Sequence, residues 1–300
     1  MNDKRLSVVS AWLRRSPLIA AAAAAVTFAS QTAFAEPLGE TSLWSLPRDL
    51  SRDGHRIDWL IGVTNIFVII LFVIMCIWMA WAVIKHNKDH EAEYDHGDSK
   101  HHVAVAMGIS ALIFFVVDGN LWFNSTIDVN TVYWDFEQAD KAPDVVKIEI
   151  NAHQWAWEAR YPGPDGKFDT NDDFVTINDV RIPVGLGPDG KAGTEDDVPV
   201  SFQLASTDVI HSFYLPNFRI KQDAVPGMIT RMWLVAVEAG EVEIGCAQHC
   251  GVHHYKMKGS LTVMTEADFE AWSKRMSEQA VLAYDPADDE ANWGWDWREI

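Results

Sequence analysis

The hydrophobic positions of this 300-residue chain form two long apolar runs, followed by shorter runs in which apolar and polar residues alternate. The long runs cover about residues 59–84 and 103–123, and each is about as long as a helix must be to cross the hydrocarbon core of a bilayer. After Asn124, short β-rich runs are separated by Gly, Pro and Asp turns, as in a sandwich or barrel. The pattern therefore predicts a membrane-anchored all-β protein that begins with an N-terminal two-helix transmembrane hairpin.

The first 35 residues resemble a secretory signal in composition. A basic start precedes a short apolar run and then Ala33-Phe34-Ala35, after which we expect cleavage. A first membrane span is the alternative, but this apolar run is short for one. Cleavage places the loop between the two spans inside and the C-terminal domain outside. We therefore expect a two-pass protein of a bacterial inner membrane whose C-terminal domain is periplasmic.

Four parts of the chain follow from these boundaries. They are a signal peptide at 1–35, an N-terminal segment and helix hairpin at 36–124, a β domain at 125–265, and a C-terminal helix and tail at 266–300. Thr265 is the expected N-cap of the terminal helix, because acidic residues follow it in the first turn.

A dense set of soft donor groups lies between Cys246 and Met257, where the sequence is CAQHCGVHHYKM. It contains a second thiol at Cys250 and an imidazole at His254, and a strand-like segment upstream carries His211. Thiolate, imidazole and thioether ligands together suit copper better than any hard cation. Two coppers that share both thiolates use this donor set better than one copper does, so we predict a binuclear site.

The loop resembles the C-x-x-x-C-G-x-x-H-x-x-M motif of the CuA domain of cytochrome c oxidase subunit II, and TDVIHSFYLP resembles the family's upstream histidine segment. The resemblance implies a cupredoxin-like Greek-key β-barrel in which both cysteines bridge the coppers. It also implies that His211 and Met257 complete the ligands of one copper, and that His254 and the main-chain carbonyl of Gln248 complete those of the other. The family usually has Glu at this last position and uses its side chain for magnesium, so the glutamine argues against a magnesium site.

The resemblance also implies the function of a subunit II in a haem-copper oxidase. Electrons from cytochrome c, or from another c-type cytochrome, would pass through the copper centre to haem a of subunit I, where oxygen is reduced to water and protons are pumped. Oxidase subunits I and III and membrane lipid are the implied partners. His153-Gln154-Trp155-Ala156-Trp157 matches the family's H-Q-W-x-W stretch, so Trp155 is the expected point of electron entry. Core packing is the alternative role for both tryptophans.

Several other interpretations of the copper loop are kept open. The two cysteines would form a disulfide in an oxidising compartment, or would hold structural zinc with nearby histidines. A quinol oxidase subunit II would share the anchor and the barrel but lacks the copper ligands. A membrane-anchored copper electron-transfer or copper-delivery protein outside an oxidase is the remaining rival. We do not expect His249 and His253 to be ligands, because only His254 keeps the three-residue step to Met257.

The formal net charge is −19, and most of it belongs to the part of the chain after Asn124. Such a field repels nucleic acid, so we expect no nucleic-acid partner, and it attracts a basic protein. Solubility of an exported domain is the simpler explanation of the same charge. Asp118 is the one carboxylate within a predicted span, where an interfacial or subunit-facing role is expected.

An internal repeat, GPDGKxxTxDD, occurs at residues 163–173 and again at 187–197, and we call these two segments the repeat loops. Pro-Asp-Gly is turn chemistry, so two acidic surface turns are the simpler interpretation. Clustered carboxylates repel one another unless a cation lies between them, and oxygen-rich loops suit calcium. We therefore hypothesise a calcium site. Its ligands would be Asp165, Asp169, Asp173, Asp189 and Asp197.

Overall fold

The computed structural model describes residues 46–94, 96–194 and 196–287. The predicted signal peptide and the tryptophan-rich end of the chain lie outside these residues. Contacts divide the described residues into two compact units, one within 56–125 and the other within 46–55 and 126–287. The domain boundaries proposed above stay predictions.

Two helical segments are long and apolar enough to cross a membrane. Helix α1 spans Gly54–Lys85, so it begins before the predicted start of the first span. The second helical segment extends over 41 residues, well beyond the predicted 103–123. Large apolar side chains along both are exposed, as lipid-facing positions require. The second segment comprises α2 (Lys100–Ile113), a π-helical turn (Phe114–Asp118), α3 (Gly119–Asp128), a second π-helical turn (Val129–Tyr133) and α4 (Phe136–Asp140).

The second unit contains ten strands within the described residues, arranged in two five-stranded sheets. The cupredoxin-like β domain predicted from the sequence is thereby confirmed. In order across the first sheet, the strands are β3 (Phe174–Ile177), β2 (Ala156–Tyr161), β1 (Val146–His153), β5 (Val200–Ser206) and β8 (Thr230–Leu234). In the second they are β4 (Asp179–Pro183), β10 (Lys258–Met264), β9 (Gly240–Cys246), β6 (His211–Leu215) and β7 (Ile220–Ala224).

One apolar core fills the space between the two sheets. Ile148 and Ile150 enter it from the first sheet, and Val180 and Leu261 enter it from the second; all four side chains are fully buried. The alternate residues of β1 point the other way, because successive side chains of a strand face opposite sides of its sheet. Glu149 is one of them, and it is buried on the outer face of this sheet in contact with Arg160.

Two elements tie the edges of the domain together. The segment before α1 joins the second sheet's loops, since Leu50 N–H donates to the carbonyl of Asn217 and the Leu50 carbonyl accepts from Val237 N–H. At the other end, helix α5 spans Glu266–Ala283, and the Thr265 side chain accepts from Asp268 N–H, which confirms the predicted N-cap. The buried Trp272 anchors α5 to the domain.

Candidate metal centre

The second sheet presents the predicted copper ligands at one end. His211 is the first residue of β6, and Cys246 is the last residue of β9; these two strands are antiparallel neighbours with Phe213 opposite Cys246. The loop that follows Cys246 is fastened to β6 by a hydrogen bond from Ala247 N–H to the Ser212 carbonyl. Strand pairing therefore brings an imidazole that is distant in sequence to the cysteine loop.

The structure brings all six predicted donors together. The Sγ atoms of Cys246 and Cys250 are 3.7 Å apart, and Cys250 Sγ lies 3.6 Å from His254 Nδ1 and 3.7 Å from Met257 Sδ. Cys246 Sγ is 3.2 Å from the carbonyl oxygen of Gln248. Ligand atoms of His211, Cys246 and Cys250 all lie within 4.8 Å of one another. Both cysteines are free thiols, so the predicted disulfide alternative is absent from this structure.

The two thiols differ in acidity. Burial alone would raise the pKa of Cys246, but hydrogen bonds from His211 and from the backbone at Ser212 outweigh it and lower this pKa to about 6. Burial raises the pKa of Cys250 to about 12, and the neighbouring Cys246 adds to the effect. Cys246 is therefore the more acidic of the two thiols, and a metal ion held by both cysteines would have to displace the proton of Cys250.

Asp208 and Gln154 support the donor set, and sequence reasoning did not assign them a role. Asp208 Oδ1 lies 2.9 Å from His211 Nε2, while His211 Nδ1 faces Met257 Sδ at 3.1 Å. Asp208 Oδ2 accepts from Gln154 N–H at 2.7 Å, and the Gln154 side-chain amide donates to the Cys250 carbonyl at 2.8 Å. A carboxylate on the outer nitrogen of a ligand histidine fixes its tautomer and orientation. The sequence feature that could have indicated this support is the aspartate three residues before His211.

The two tryptophans of the H-Q-W-x-W stretch occupy different environments. Trp157 is fully buried and packs edge-on against Phe213, with ring centroids 5.2 Å apart. Trp157 is therefore a core residue. Trp155 is only partly buried. Its ring lies 4.5 Å from that of His253 in an edge-to-face arrangement, and Gly251 passes beside it. Trp155 therefore touches the loop that carries the donors.

The histidines that were not expected to be ligands lie on the surface of the loop. His249 and His253 are exposed, whereas His254 is partly buried and contacts Cys250. The ring of His249 lies 5.6 Å from that of His254. In the membrane unit, Asp118 is exposed at the end of the first π-helical turn.

The two repeat loops fold in the same way. In each, the first aspartate caps a turn: Asp165 Oδ1 accepts from Lys167 N–H at 2.8 Å, and Asp189 Oδ1 accepts from Lys191 N–H at 2.7 Å. In each, the last aspartate accepts a backbone N–H from within the loop through its Oδ2, at 2.8 Å. The repeated sequence therefore encodes a repeated turn.

Arginines already supply the positive charge that the calcium hypothesis invoked. Arg160 lies 2.9 Å from Asp169 and 2.5 Å from Asp173, and Arg52 lies 3.1 Å from Asp197. Among the described residues, the five aspartates form no group with ligand atoms within 4.8 Å of one another. The geometry gives calcium no support, and the hypothesis stays a prediction.

Three comparisons with known proteins bear on this site. Residues 146–264 match the family model described as "Cytochrome C oxidase subunit II, periplasmic domain". An alternative cytochrome c oxidase subunit 2 of Bradyrhizobium diazoefficiens is 30% identical over 245 residues, covering 76% of this chain and 82% of the relative. A cytochrome c oxidase subunit 2 of Alkalihalophilus pseudofirmus is 28% identical, covering 86% and 68%. The crystal structure of the periplasmic domain of subunit II of cytochrome oxidase of Bradyrhizobium japonicum aligns with a TM-score of 0.37 and 24% identity, covering 46% of this chain and 98% of that one.

Proposed function

This chain belongs to the subunit II family of cytochrome c oxidases, and from that premise we propose that it is the subunit through which electrons enter a haem-copper oxidase. A binuclear copper centre bound here would accept single electrons from a c-type cytochrome and release them to haem a of subunit I. The observation that carries the proposal is the convergence of six soft or carbonyl donors on one loop and one neighbouring strand.

The donor set fits copper. Two thiols, two imidazoles, one thioether and one carbonyl are the ligand types that copper prefers, and the hard oxygen donors that calcium or magnesium require are lacking among the loop's converging side chains. Cys246 and Cys250 would bridge the metals. His211 with Met257, whose donor atoms touch, would complete one copper. His254 and the Gln248 carbonyl would complete the other.

Three of the six donors lie away from water. His211, Met257 and Cys250 are almost completely buried, and Asp208 fixes the ring of His211. Electron transfer is fast at small driving force when the ligands move little between oxidation states. A donor set that is half buried, with orientations set by strand pairing and by hydrogen bonds, favours such small movements.

We propose Trp155 as the point of electron entry. Its ring is partly exposed, and it contacts the donor loop at Gly251 and His253. A large aromatic ring at this position both packs against a docking cytochrome and provides a route towards the metal. The acidic charge of the chain favours a basic cytochrome as the donor. We expect Trp155→Ala to reduce cytochrome c oxidation severely while leaving the copper spectrum intact, and an unchanged rate would refute the assignment.

The two apolar helices support a membrane anchor, and the matched family domain is described as periplasmic. We propose a bacterial inner membrane, with oxidase subunits I and III and lipid as partners and with oxygen reduction and proton pumping in the complex. Magnesium stays outside the proposal, since Gln248 offers a neutral amide where the family usually has a carboxylate.

Copper counting and electron spin resonance test this proposal on the full-length protein purified in detergent. Two coppers per chain with a mixed-valence seven-line signal are expected. One copper per chain would favour a copper carrier or copper-delivery protein, and none would reject both. Cys246→Ser is the matched control, because it removes a proposed bridging ligand and must abolish the mixed-valence signal.

A further inference from the structure

Trp155 is held on the copper loop by two contacts that differ in kind. A Cβ added at Gly251 would lie 3.3 Å from Trp155 Cζ2 and 2.9 Å from Gln154 Nε2, so the backbone of Gly251 passes against the indole with no room for a side chain. The second contact is the ring of His253, whose centroid lies 4.5 Å from that of Trp155 at an interplanar angle of 83°. The indole is therefore bounded by backbone at one point and by a second ring at another.

The indole has no polar anchor of its own within the part of the chain that the structure describes. Trp155 Nε1 is buried without a hydrogen-bond partner there. A buried Trp N–H usually finds a partner, which then fixes the ring. Within the described residues, the ring is restrained by packing: it packs against the apolar core and against the backbone of Gly251, and it meets the ring of His253 edge to face.

The ring of His253 is placed to act on electron entry through Trp155. It is exposed, whereas its neighbour His254 is partly buried and contacts Cys250. Its ring contacts Trp155. Its backbone carbonyl accepts from Lys256 N–H at 2.9 Å, a contact that any side chain at this position would keep.

We propose that His253 is a positioning residue for electron entry, holding the Trp155 indole against the copper loop through its ring. The inference rests on the proposed role of Trp155. It concerns the shape of the aromatic side chain and not its charge, so a phenyl ring at the same position preserves the effect. An edge-to-face aromatic pair shifts the population of a held orientation by about two- to tenfold.

The test is steady-state oxidation of reduced cytochrome c by the assembled oxidase. We expect His253→Ala and His253→Asn to lower kcat by about two- to tenfold with little change in KM, and His253→Phe to restore it. Tyr255→Ala is the control, because Tyr255 is 69% exposed in the same turn and its recorded ring contact is with Lys256 and not with Trp155. The copper spin resonance signal is recorded for every variant.

Each other outcome overturns the inference in a different way. A raised KM with unchanged kcat would make His253 a docking contact only. Loss of the copper signal in both His253→Ala and His253→Asn would assign the residue to the fold of the loop. Unchanged kinetics in these variants, while Trp155→Ala is severely impaired, would overturn the positioning role and leave electron entry standing. Unchanged kinetics in Trp155→Ala itself would remove the proposed entry point and the positioning role with it.

Discussion

Replacement of Asp208 tests how far copper binding depends on a residue outside the donor set. Asp208 Oδ1 lies 2.9 Å from His211 Nε2, and Asp208 Oδ2 accepts a hydrogen bond from the backbone N–H of Gln154 at 2.7 Å. Gln154 in turn donates to the carbonyl of Cys250. Through these contacts, one carboxylate supports both the imidazole from β6 and the main chain at Cys250.

The magnitude follows from the role of such carboxylates at other metal sites. Removing the group that orients a ligand histidine typically lowers metal affinity by about 10- to 100-fold, which is about 1.4–2.7 kcal/mol. Asp208→Asn keeps a weaker, uncharged acceptor, so we expect a loss near the lower limit. Asp208→Ala removes both hydrogen bonds, so we expect a loss near the upper limit.

The assay is competition for copper between the purified full-length protein and a chelator of known affinity, followed by the mixed-valence signal. Asp179→Asn is the matched control, because Asp179 is an aspartate of comparable exposure that pairs with Arg181 on β4 and contacts no donor. Wild-type copper affinity in Asp208→Ala would refute the reasoning. So would an equal loss in Asp179→Asn, since it would show a general effect of charge.

The stability of the protein tests Gly251, Glu149 and the repeat loops. Gly251→Ala places a methyl group against Trp155 at a backbone φ of +119°, so we expect a destabilisation of roughly 1–3 kcal/mol, measured as a lower Tm of the copper-loaded protein. Burial raises the pKa of Glu149 to about 8 despite Arg160, so the folded state resists its ionisation; stability should fall as pH rises from about 4.5 towards 8, and denaturant unfolding of Glu149→Gln should lack this slope. If the repeat loops bind calcium, millimolar calcium must raise the Tm of the protein above its value in chelator. If the Tm does not change and elemental analysis finds no tightly bound calcium, the aspartates of these loops are neutralised by arginines and not by calcium.

The copper loop shows what local sequence can predict. Five of the six donors lie within twelve residues, so their spacing is visible without any fold, and the structure gathers them as expected. His211 was assigned through a motif and through strand-like alternation, and it is indeed the first residue of a buried strand. Asp208 lies in the same motif, but sequence alone assigns it no role, because a carboxylate beside a turn is more often a cap than a support for a ligand.

The repeat loops show the opposite case. Pro-Asp-Gly predicts the turn that both loops form, but it does not predict the arginine side chain that pairs with the aspartates of each loop. Arg160 lies on β2 and Arg52 lies before the first membrane helix, and no spacing rule links either arginine to the aspartate that it contacts. The number of carboxylates in each loop predicts a nearby positive charge. The fold decides that arginines supply this charge to Asp169, Asp173 and Asp197.

The sequence by itself determined the two membrane helices, the β character of the rest, the cap of α5 and the donors between Cys246 and Met257. Each depends on periodicity or spacing over a few residues, because side-chain direction repeats within one helix or strand. Tertiary structure alone decided which tryptophan is core, how His253 meets Trp155 and how Asp208 reaches His211 and Gln154. These contacts join separate strands and loops, and their geometry is set by sheet pairing and core packing, which no local pattern specifies.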